Sequence, residues 1–133
     1  LIEEGFPIEN ILLVGVRNMW EDEIVFLKEK RIQRISINSI VDDIDNIADT
    51  IMEFASGKDV YVSIDIDVVD PAFAPATGYP EPGGLSSREF IYLIQRINKV
   101  KNLRAVDIVE INPEKKGREM TVKLGAKILS ELI

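Results

Sequence analysis

Hydrophobic and polar positions along this chain follow two alternating rhythms: short continuous apolar runs, and longer stretches in which apolar residues recur at helical spacing. Ile11, Leu12, Leu13, Val14 and Val16 form an apolar run around Gly15, as in a strand covered on both faces. Arg17 and Asn18 end it. In residues 21–30, Ile24, Val25, Phe26 and Leu27 lie between early acids and late lysines, the charge order that a helix dipole favours. Residues 35–37 predict a short strand. Asn38 or Ser39 is placed to cap the next helix, in which Ile40, Val41, Ile44, Ile47, Ala48, Ile51 and Phe54 keep helical spacing until Gly57 stops it.

Residues 60–64 (VYVSI) are β-branched and aromatic with no breaker, which reads as a buried strand. After a loop, Ser86 and Glu89 form the S-x-x-E pattern of a capping box, and Ile91, Leu93, Ile94 and Ile97 continue that helix. A strand over residues 103–109 and an amphipathic helix over residues 121–132 complete the chain. Strand and helix alternate with short links throughout. That predicts an α/β fold, a three-layer α/β/α arrangement with a parallel sheet, right-handed crossovers and helices on both faces.

Composition narrows the classes. The 133 residues suit one domain, 1–133, and 46% hydrophobic with 29% charged residues is a globular balance. The net charge of −7 comes with no basic stripe, which argues against a nucleic-acid partner. There is no cysteine, no run of eighteen apolar residues and no signal-peptide pattern, so the expectation is a soluble cytoplasmic protein without disulfides or a membrane partner. The first residue is Leu1 rather than methionine, which reads as a fragment of a longer protein. Histidine is absent too, so any transition-metal ligands here must be carboxylates or come from elsewhere.

Candidate chemistry gathers where the strand over residues 60–64 runs out. Asp65, Asp67 and Asp70 arrive together, and Pro71, Pro75, Pro80 and Pro82 with Gly78, Gly83 and Gly84 then forbid helix or ladder. In a parallel α/β sheet this edge, beyond the carboxyl ends of the strands, is where ligands bind. Two readings stand side by side. Strand-end aspartates cap backbone N–H groups in turns, which suits Asp70 before Pro71. Asp65 and Asp67 are placed by strand alternation on one face, where like charges repel unless a cation such as Mg²⁺ or Mn²⁺ lies between them.

The longer string resembles a signature block of the ureohydrolase family (arginase, agmatinase and relatives), S-[IVF]-D-[IV]-D followed by D-P-x-x-x-P-x-T-G-x-P-x-P-G-G-L. Ser63 to Asp67, Asp70-Pro71, Pro75, Thr77-Gly78, Pro80 and Pro82 to Leu85 all fit. A second family block, D-I-[MV]-E-[VI]-N-P, is matched by residues 107–113. The resemblance implies the carboxyl-terminal half of the arginase/deacetylase-type fold. It also implies that Asp65 bridges two Mn²⁺ ions, that Asp67 chelates one of them, and that Glu110 grips the guanidinium of a small cationic substrate. Asp107, inside its strand, is expected to hold backbone or helix groups. The implied reaction is metal-activated hydrolysis that releases urea.

The other ligands of such a site, and a proton-shuttling histidine, belong to blocks that lie earlier in the family's chains. The two-Mn²⁺ site is therefore incomplete in these residues, and the chain alone is expected to be inactive. Arginases carry an aspartate where Trp20 stands here, so agmatine, cleaved to putrescine and urea, is the expected substrate. Tyr79 replaces the commoner threonine. An exposed edge strand beside the absent half invites pairing with another copy, which suggests a homo-oligomer. Two alternatives accompany this reading. One is a haloacid-dehalogenase-type phosphatase with Asp65 as nucleophile and Asp67 as acid/base; the other is a non-catalytic half-domain serving as an interaction subunit.

Overall fold

The apolar run after Ile11 forms β1 (Leu12–Val16) and pairs in parallel with β2 (Gln33–Ser36) through the crossover helix α1 (Glu21–Glu29). Acids Glu21, Asp22 and Glu23 occupy the first turn of α1 and Lys28 its last, as the dipole requires. In the computed structural model, which describes residues 1–133, these elements belong to a first compact unit, Leu1–Asp42; a second spans Asp43–Ile133.

The expected long helix after residue 38 is two helices, α2 (Ile37–Asp42) and α3 (Ile44–Ala55). Asp43 separates them with a non-helical backbone at φ −155° and ψ 80°, and its side chain accepts a hydrogen bond from Asn46 N at 3.1 Å. An aspartate that can bond its own downstream backbone competes with helix continuation and becomes a cap. The cap of α2 is neither Asn38 nor Ser39 but Ser36, whose Oγ accepts from Ser39 N at 3.1 Å. Ile37 consequently leaves the strand and starts the helix, where it is buried. α2 packs against β1 and β2.

In the second unit β3 (Val60–Asp65) pairs in parallel with β4 (Leu103–Val109). The four strands thus form two parallel pairs, β1 with β2 and β3 with β4. β3 is not buried on both faces as its apolar run suggested. Val62 and Ile64 turn inward while Tyr61, Ser63 and Asp65 are exposed, because alternation gives the polar tips of Tyr61 and Ser63 one face to share.

The crossover helix α4 (Ser87–Ile97) carries the capping box read from sequence. Ser86 N donates to Glu89 Oε2 at 2.7 Å, and Glu89 N donates to Ser86 Oγ at 3.3 Å. α4 packs between α3 and α5 (Arg118–Leu132). Tyr92 OH donates to Asp45 of α3, Arg96 pairs with Asp49, and Gln95 Nε2 donates to Glu131 of α5 at 2.8 Å. α5 starts earlier than its apolar pattern predicts because Gly117 caps it at φ +83°, in the left-handed region, with Pro75 so near that a Cβ would stand 2.6 Å from Pro75 Cγ. Ile66, Leu85, Ile94 and Ile128 are buried to 1% exposure or less, and each such side chain contributes roughly 1.5–3 kcal/mol relative to exposure. No helix is long and apolar enough to cross a membrane.

Candidate functional site

Parallel register decides what meets at the carboxyl ends of β3 and β4. Asp65 is the partner of Val109. Asp65 therefore closes β3 level with the end of β4, and Glu110 is the next residue outward. Beyond Asp65 the chain turns into a single 3-10 turn, Ile66–Val68, so strand alternation does not carry through to Asp67. Asp65 caps that turn, its Oδ1 accepting from Asp67 N at 2.9 Å. The capping role thus belongs to Asp65 as well as Asp70, and Asp67 follows in a turn rather than on the strand face.

Asp67 is held differently. Its Oδ1 is buried and has no hydrogen-bond partner. A buried acceptor left unsatisfied costs on the order of 1–3 kcal/mol, more when charged, so this oxygen calls for a cation or a donor.

The proline and glycine loop after Asp67 is tied at both ends. Asp70 N donates to Leu85 O and Leu85 N to Val68 O, each at 2.9 Å. The Asp70 carboxylate accepts from Ala72 N at 2.9 Å, Gly83 N at 2.8 Å and Gly84 N at 3.2 Å, the turn-holding role expected of it. Farther along, Ala76 N donates to the Oγ1 of fully buried Thr121 at 2.9 Å, and Ala76 O accepts from Asn112 N at 2.9 Å. Lys115 Nζ donates to Gly78 O at 3.1 Å. Thr77 between them is buried, with its hydroxyl unpartnered.

Glu110 has φ +66°, a left-handed backbone that costs a side-chain-bearing residue about 1–2 kcal/mol. Such strain clusters at functional positions. Its carboxylate lies over the bare α-carbon of Gly78, so that a Cβ there would be 2.7 Å from Glu110 Oε2. The structure therefore brings Asp65, Asp67 and Glu110 to one strand edge. Arg17 lies in the first unit, directly after β1.

Asp107 does not hold backbone or helix groups. It faces its strand partner Ser63 and accepts from Tyr61 OH, because parallel pairing sets these side chains on one face. Donation from Tyr61, then from Ser63, holds the Asp107 carboxyl below the usual carboxylate range, and the same bond to Asp107 pushes the Tyr61 phenol up. Sequence reasoning missed this network, and missed Thr121 and Gly78 as partners of the site. A lone threonine on the apolar side of α5 was the one local signal for Thr121.

The donor set bears on a metal directly. Two aspartates with hard oxygens, one of them buried and orphaned, suit Mn²⁺ or Mg²⁺. No group of three or more histidine, cysteine, aspartate or glutamate side chains gathers to hold an ion. These residues fit part of a metal site.

An α/β fold with aspartates and a glutamate at the carboxyl ends of two neighbouring parallel strands defines a class, and comparison with known proteins narrows it. All of residues 1–133 match the arginase family. The chain is 33% identical over 127 residues to the hepatic arginase of Aquarana catesbeiana, covering 92% of this chain and 39% of that protein. It is 31% identical over 125 residues to the agmatinase of Bacillus subtilis, covering 93% and 41%. The structure of Entamoeba histolytica arginase in complex with L-ornithine aligns at a TM-score of 0.88 and 31% identity, over 96% of this chain and 44% of that one. The chain belongs to the arginase family, and it spans less than half the length of these relatives.

Proposed function

We propose that Asp65, Asp67 and Glu110 are part of a ureohydrolase site that hydrolyses a guanidino compound, its remaining metal ligands lying outside residues 1–133. The observation that carries this is the register of Asp65 with Val109, which puts Asp65 and the Asp67 turn beside the strained Glu110 at one strand edge. Asp65 and Asp67 would hold Mn²⁺, which when bound supplies the Lewis acidity that makes water a nucleophile at neutral pH. Glu110 offers a carboxylate that a planar guanidinium engages with paired, charge-assisted hydrogen bonds. Held against Gly78 by a pinned loop, that carboxylate orients the substrate before reaction, which removes an entropic part of the barrier.

Agmatine is the proposed substrate. Identity to the arginase and to the agmatinase named above is nearly equal. The choice rests instead on Trp20, which stands where arginases carry the aspartate that reads an α-amino group. The test is urea release from agmatine, arginine and guanidinobutyrate by the full-length protein with Mn²⁺, and agmatine should show the highest kcat/KM. Glu110→Gln should lower that ratio by about 10- to 150-fold, the equivalent of a charge-assisted pair worth about 1.5–3 kcal/mol, at unchanged metal content. No release from any guanidino compound, together with hydrolysis of a phosphate ester, would replace this reading by phosphoryl transfer.

A further inference from the structure

The contact between Glu110 and Gly78 has a feature that separates shape from stability. A Cβ on Gly78 would meet Glu110 Oε2 at 2.7 Å and Glu110 Cδ at 3.9 Å, and apart from its chain neighbours no other heavy atom within 4 Å. The φ of Gly78 lies outside the left-handed region, so alanine fits the backbone there. Nor is the segment beneath free to give way. Ala76 is bonded through both its N–H and its carbonyl, and Gly78 O accepts from Lys115 Nζ. Any added side chain therefore displaces one thing, the carboxylate at the end of Glu110.

We propose that Gly78 is a positioning residue: its bare α-carbon is the shelf on which the Glu110 carboxylate rests, and the missing side chain sets where a guanidinium is gripped. The proposal rests on the reading of Glu110 as the guanidinium carboxylate. To regain an ordinary van der Waals separation from a methyl group, Oε2 must retreat by about 1 Å. A misplacement of that size costs up to about 100-fold in rate. Because the atom that moves ends a flexible side chain, folding stability should hardly change.

The test uses Gly78→Ala, Glu110→Asp and the double variant. In crystal structures of the full-length protein, Gly78→Ala should shift the Glu110 carboxylate while Asp65 and Val109 keep their register, and the unfolding midpoint should stay where it was. In the full-length protein Gly78→Ala should raise KM for the guanidino substrate by about tenfold or more. Glu110→Asp, harmful alone, should recover part of the loss in the Gly78→Ala background, since one methylene fewer makes room for the methyl. A carboxylate unmoved by Gly78→Ala would overturn the proposal, as would losses that simply add in the double variant. If the wild-type protein hydrolyses no guanidino compound, the reading of function falls; a displaced carboxylate in the crystal would still support the shelf.

Discussion

Asp67 and Glu110 carry the cost of the site in different currencies, one electrostatic and one conformational. Asp67 Oδ1 is buried without a partner, so replacing the charge with a neutral amide should raise the unfolding midpoint of the metal-free chain. The same Asp67→Asn variant should lose whatever increase Mn²⁺ gives the wild type. Thermal unfolding with and without Mn²⁺ checks both, and a lower metal-free midpoint would show that a protein donor serves this oxygen in solution. Glu110 holds a left-handed backbone that glycine adopts freely. Glu110→Gly should therefore be neutral or stabilising by up to about 1 kcal/mol in chemical denaturation, while binding of guanidino compounds by the full-length protein is lost. Stability falling together with binding would mean that the side chain supports the fold rather than the site.

Among the elements, β3 and β4 are joined by more than their ladder. Tyr61 on one donates to Asp107 on the other, and the two groups shift in opposite directions. The folded Asp107 pKa is depressed, so its contribution is present above the unfolded value of about 3.9 and is lost as pH falls through the folded value. The Tyr61 pKa is raised, so its contribution is present below the unfolded value of about 10 and is lost as pH rises through the folded one. Tyr61→Phe should flatten both limbs of a stability-against-pH profile, most visibly the acid limb. An unchanged acid limb would assign that loss to other carboxylates. The helices show which local signals survive folding. The Ser86 and Glu89 box was legible because both of its bonds close within one turn, whereas the break at Asp43 was hidden by an apolar spacing that runs unbroken through both α2 and α3. Asp43 carried the signal, as an aspartate three residues before Asn46. Helical periodicity outweighed it in the sequence because periodicity sums over many residues and a cap is a single one.

At the scale of the whole molecule, the chain is two compact units covering less than half the length of its relatives. Two aspartates and no third metal-binding side chain beside them leave most of a roughly octahedral shell to water. Calorimetric titration of the 133-residue chain with Mn²⁺ should show weak binding. Tight uptake of two ions per chain would mean that these residues hold a complete site, and the proposal that further ligands lie elsewhere would fail.

The sequence by itself determined the alternation of strands and helices, the capping box, the turn at Asp70 and, through motif resemblance, the family. All of these are written within a few consecutive residues, where side-chain period, proline and glycine act directly on the backbone. Tertiary structure decided that Asp67 Oδ1 is buried and left bare. It also decided that Asp107 serves Tyr61 and that Glu110 rests on Gly78. Each of these depends on the register of strands far apart in the chain and on how the loop after β3 is pinned under α5. In such contacts a shift of about one ångström changes which atom meets which, and no local pattern of residues encodes a distance that fine.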